Sequence, residues 1–212
     1  MKEKLSISQI IVGLLLTSTS GLAITLWGLG KIPMTFTVSF VVLPSIIILV
    51  SAVLYYKNHQ KFQWFNDLII QGGKWGLLAT LFYDAIRPLL KLVFRFDFNP
   101  YRAMPIFGEL ITGLPQTDSL AILAGWSYHF WNGISFGMMF ALLSPKGGMI
   151  KGFIWSMALQ ALMMWVYPHF LAIRLADPGF LMTGLVGHGL WGVVLGYGIK
   201  QHYQKKYLKI NS

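Results

Sequence analysis

The chain reads as an all-α protein, a polytopic membrane helix bundle of six transmembrane helices with an interfacial or re-entrant segment at about 94–116. Three observations predict this. Of its 212 residues, 55% are hydrophobic and only 11% charged, which lies outside the soluble globular range. A spanning helix needs about 20 mostly apolar residues, and six runs qualify, at 8–30, 36–56, 68–91, 119–143, 149–172 and 180–200. Alternating strand patterns are absent, which argues against a barrel. The runs use nearly all of residues 1–212 as one membrane domain, so any chemistry must sit in the bundle or its short loops.

The first run follows Lys2 and Lys4 and reaches Ser20, Gly21, Leu22 and Ala23, imitating a cleavable signal peptide. Its continuation through Ile24, Leu26 and Trp27 to Gly30 makes an uncleaved span the expectation. Gly13, Thr17, Gly21 and Thr25 mark it at four-residue steps, and small residues so spaced let helix backbones approach closely in lipid. The second run, with Ile46, Ile47, Ile48, Leu49 and Val50, is bulky and β-branched and is expected to face lipid. The third steps through Gly72, Gly76, Thr80 and Asp84, with Arg87 one turn on, so an Asp84–Arg87 pair is geometrically easy.

The connection after the third run alternates Phe94, Arg95, Phe96, Asp97 and Phe98. Pro100, Pro105 and Pro115 then punctuate an apolar piece holding Glu109. It is expected to lie at headgroup level and cap the outer mouth, with Glu109 reaching into a polar layer. The fourth and sixth runs share a pattern. Gly125, His129, Gly133 and Gly137 return as Gly184, His188, Gly192 and Gly196, and the fifth run carries Gly148, Gly152, Ser156 and Gln160.

Charge predicts the topology. Lysines gather in the amino terminus, at Lys57 and Lys61, at Lys146 and Lys151, and in the tail at Lys200, Lys205, Lys206 and Lys209. An even number of spans puts these segments on one side, and the positive-inside rule makes both termini cytoplasmic. The net charge of +10 is thus a topology signal, and without a basic recognition helix nucleic acid is not an expected partner. The arginines Arg87, Arg95, Arg102 and Arg174 all fall in the outer half, where forked guanidinium groups suit internal ion pairs or an anionic ligand. With no cysteine there is no disulfide and no thiolate-held metal.

At about 1.5 Å per residue, His129 and His188 lie roughly 13–15 Å below the outer entrance of their helices. Gln160 falls at a similar level and Asp84 somewhat shallower, so four polar side chains share a layer. Asn132, one turn beyond His129, joins them. Ionisable groups within a membrane are costly enough to mark functional sites, and neutral imidazole suits proton relay, substrate binding or metal ligation alike. The candidate substrate-binding or proton-relay set is therefore His129, His188, Asp84, Arg87, Asn132, Gln160 and Glu109. No catalytic residue, resident metal or cofactor is assigned by any sequence motif. Walker, HExxH, GxSxG and dinucleotide signatures are all absent.

The histidine that starts a glycine-stepped run, the Ala158-Leu159-Gln160 stretch, and Gly187-His188 before a basic tail resemble small YagU-like inner-membrane proteins over the carboxy-terminal half. The resemblance implies a bacterial inner-membrane location and carries no chemistry. The leading functional expectation is a site that binds or passes a small polar or ionic solute, proton-coupled through His129 and His188. The chain is short for a transporter of inverted repeats and its halves do not repeat, so a homo-oligomer or a membrane-complex partner is expected. Two alternatives stay open: a membrane-embedded enzyme or redox protein with a metal or haem held by the histidines, joined by His169 and Asp84, and a noncatalytic scaffold subunit.

Overall fold

The computed structural model describes residues 5–171 and 177–208, with side chains described outside 167–171 and 208. Arg174 lies outside the described residues, as does the side chain of His169. Among the described residues the chain is helical and has no strand: α1 Ile7–Thr17, α2 Thr19–Gly28, α3 Met34–Thr37, α4 Leu43–Tyr55, α5 Gln63–Phe94, α6 Ala103–Thr112, α7 Ser119–Leu143, α8 Met149–Leu171 and α9 Pro178–Tyr203.

The first expected span is broken. α1 starts at a capping box of Ser6 and Gln9 and meets α2 at a 50° bend. At the break, the hydroxyls of Thr17, Ser18 and Thr19 donate to the carbonyls of Gly13, Leu15 and Leu16. Such back-bonding competes with the helix ladder and bends it. The second span is continuous over Met34–Tyr55, but its α3 and α4 halves join through a π turn at Val38–Val42. Pro44 explains the widening, since it lacks an N–H and its ring crowds the carbonyl a turn earlier. This rod leaves Phe40, Ile47, Ile48 and Leu54 exposed, as a lipid-facing helix would.

Among the described residues, three helices are long and apolar enough to cross a membrane, Met34–Tyr55, Met149–Val166 and Pro178–Tyr207, and a fourth crossing is available if α1 and α2 form one span. The expectation of six comparable spans is coarsened accordingly. α5 and α7, at 32 and 25 residues, are long enough but not apolar enough. α5 carries Asp67, Lys74, Asp84, Arg87 and Lys91, and α7 carries His129 and Asn132. Asp84, Arg87, His129 and Asn132 are turned inward, while α5 keeps Leu77, Leu81 and Phe82 exposed on its outward face.

Glycine sets that packing. A Cβ at Gly76 would strike the Gly133 carbonyl, and one at Gly137 the Gly72 carbonyl, so α5 and α7 touch backbone to backbone. Gly152 of α8 meets Gly192 and Gly196 of α9 in the same way, and Gly108 of α6 meets Ala121 of α7. α9 also leans on α5, where Gly198 leaves room for Trp75 and Gly187 for Tyr83. The order across the bundle is α6, α7, α5, α9, α8, with α1 against α7 and α4, and α2 against both α7 and α8.

The segment expected at headgroup level turns after Arg95, which has a left-handed φ of 55°, and then forms α6. Ten residues rise about 15 Å, half of a bilayer core. α6 buries Met104, Phe107 and Gly108 against α7. At the opposite end of the bundle Asp67 accepts hydrogen bonds from His202 at 2.7 Å and the Tyr207 hydroxyl at 2.8 Å and pairs with Lys206 at 2.8 Å, tying the tail to α5.

Candidate functional site

The site forms where α5, α7 and α9 meet. Asp84 and Arg87 lie one turn apart on α5 and form an ion pair through Nη2. From α7, His129 brings its Nε2 to 3.0 Å from both oxygens of Asp84. The carboxylate accepts, so Nε2 carries the hydrogen and the ring is held as a second donor to the same acid. Asp84 and His129 side chains are only 13% and 14% exposed, so solvent does little to screen the cluster.

Arg87 is more enclosed, at 5% exposure. Its Nη1 donates to the Pro100 carbonyl at 2.5 Å, and its plane lies over the Tyr83 ring at 4.2 Å and near the Tyr101 ring at 5.0 Å. The Tyr101 hydroxyl in turn donates to the Asp84 carbonyl at 2.9 Å. Two aromatic faces and two acceptor contacts thus fix a charge that would otherwise be expensive to bury. Its Nε has no partner among the described residues.

His188 comes from α9 and is buried at 7% exposure. Its Nδ1 donates to the Gly184 carbonyl at 2.9 Å, which leaves the lone pair on Nε2. Tyr83 packs edge-on against this ring at 4.7 Å and also contacts His129 at 6.1 Å between centroids. Of the four imidazole nitrogens, His129 Nδ1 and His188 Nε2 are left for a ligand. Among the described residues no group of three histidine or acidic side chains is placed to hold a metal ion.

Both histidines, Arg87 and Asn132 line one cavity of about 80 Å³. At about 15 Å³ for a water-sized group, it holds roughly five. Asn132 is 9% exposed, and its Oδ1 has no partner among the described residues. A second cavity of about 50 Å³ shares Arg87, His188 and Met163 with the first and continues to Asn99 and Arg102, which are exposed. The two lie side by side between the segment after α5 and the histidines.

No family model, curated protein or solved structure matches the chain. The site is therefore read from its own geometry.

Of the residues expected there, Asp84, Arg87, His129, Asn132 and His188 come together. Gln160, 3% exposed, stands beside Gly184 and lines the second cavity. Glu109 does not join them, which corrects its expected placement. It is exposed, and one oxygen accepts from Gln116 at 2.7 Å. α6 turns its Phe107 and Gly108 face to α7, and the next residue necessarily points away by about 100°.

Sequence reasoning missed Tyr83, Tyr101 and Thr80. Tyr83 stands four residues before Arg87, the helical spacing of a stacked pair, and that signal was readable. Thr80 accepts from the Trp191 indole at 3.1 Å while donating to the Gly76 carbonyl, a link between α5 and α9 that no local spacing announces.

Proposed function

We propose that this protein is a six-span inner-membrane protein, both termini cytoplasmic, that binds or passes a small polar solute through the path between Arg102 and the two histidines. The observation that carries this reading is the pair of buried, unpartnered polar atoms, Arg87 Nε and Asn132 Oδ1, on residues lining the cavity that both histidines share. A buried polar atom left unpaired costs about 1–3 kcal/mol, and such sites persist where a ligand or water completes them. The Asp84–His129 pair supports proton coupling in the same place, since it offers a carboxylate and an imidazole for one proton.

Osmotic shrinkage and swelling of proteoliposomes against a panel of small solutes tests the proposal. Protein-dependent flux is expected for at least one solute. It should fall in His188→Gln and in Met163→Trp, which fills both cavities. Rates equal to protein-free vesicles throughout the panel, or flux unchanged in both variants, would overturn it.

A further inference from the structure

We infer that the solute is electrically neutral and carries both a hydrogen-bond acceptor and N–H donors, the chemistry of a small carboxamide. This rests on the solute-binding reading above and narrows it. The charges of the site already balance, because Asp84 is paired with Arg87 and is the acceptor for His129. An anion entering would find a guanidinium already closed on its own carboxylate, and one charge would be left over in a poorly screened interior. A cation would fare no better, since no carboxylate lines either cavity among the described residues. Uncompensated charge inside a membrane bundle is the costliest outcome available.

The free atoms specify the rest. Arg87 Nε offers one N–H and therefore selects an acceptor. Asn132 Oδ1 is an open acceptor, and His188 Nε2 is a second, because its Nδ1 is spent on Gly184. His129 Nδ1, on the same cavity wall, is a third. One donor and three acceptors suit a primary amide, whose carbonyl oxygen would take the donor and whose two amide hydrogens would engage two of the acceptors. The remaining wall is apolar, with Phe136, Leu159 and Met163, which suits a short hydrocarbon substituent. The volume admits roughly five water-sized groups, close to the four heavy atoms of acetamide.

Acetamide, sodium acetate at about pH 8 and methylammonium chloride, presented at equal osmotic gradients to proteoliposomes of the full chain, decide the matter. Protein-dependent acetamide flux is expected to exceed that of either ion at least about tenfold. Asn132→Leu keeps the side chain's size without its hydrogen bonds and should lower acetamide flux about tenfold, the equivalent of one hydrogen bond. Should that variant fail to fold, Met163→Trp should abolish the flux by occlusion. If acetate or methylammonium crosses faster than acetamide, neutrality is overturned while the solute path stands. If no solute is accelerated, or acetamide flux survives in the folded variants, both readings fall together.

Discussion

At the scale of single residues, the most testable group is Asp67, at the polar start of α5 ahead of its apolar stretch. Burial pushes its carboxyl up, but hydrogen bonds from Lys206, His202 and Tyr207 outweigh burial and hold it below the ordinary 3.8. A folded-state value below the unfolded one adds stability that is complete above the unfolded value and disappears as pH falls through the folded one. Asp67→Asn is therefore expected to cost about 1.5 kcal/mol at neutral pH, the low end for charged hydrogen bonds because Lys206 is half exposed. The difference from wild type should begin to shrink as pH falls through 3.8 and close only below the still lower folded-state value. Unfolding in micelles at both pH values measures it, and a constant gap would show that the carboxylate charge is not what secures the tail. The same scale shows what was legible. The Asp84–Arg87 pair follows from helical spacing, and His129 meets Asp84 within the polar layer both were expected to share, although Asp84 was expected somewhat shallower. Glu109 was misplaced because nothing in a ten-residue apolar piece reveals which face its neighbour helix will take. Tyr83 was readable from its four-residue spacing to Arg87, whereas no local spacing brings Tyr101, beyond the end of α5, to the same guanidinium.

At the scale of elements, the four-residue glycine steps were readable, but their partners were not. Gly72 and Gly76 meet Gly133 and Gly137, whereas Gly152 meets Gly192 and Gly196, and spacing alone assigns no partner. Breaks were equally hidden. The bend at Ser18 and the π turn before Pro44 depend on which carbonyls a hydroxyl or a proline ring reaches. Gly76→Leu should cost about 3 kcal/mol or prevent folding, because its Cβ falls on the Gly133 carbonyl and backbone cannot yield as a side chain can. Leu81→Ala, on the outward face at 49% exposure, should change stability by less than about 0.5 kcal/mol. Thermal unfolding in detergent compares the two. Equal losses would mean that α5 and α7 do not meet through this stripe.

At the scale of the whole molecule, the question is which long helices cross the membrane. α5 and α7 fall short on hydropathy because the polar groups that build the site are theirs. Since the chain has no cysteine, a single introduced thiol reports one position cleanly. On intact cells an impermeant maleimide is expected to label Thr117→Cys and to leave His59→Cys and Lys146→Cys unlabelled. Labelling of both Thr117→Cys and Lys146→Cys would mean that α7 does not cross. The segment between α5 and α6 bears on the whole bundle. Pro100 takes a hydrogen from Arg87, and Tyr101 gives one to the Asp84 carbonyl, so the strap over the path is fastened to the charge beneath it. Lifting the strap strips an acceptor from a buried guanidinium, and drawing that guanidinium toward an incoming molecule loosens the strap by the same free energy. Segment and ion pair share one side chain, so neither can shift without disturbing the other.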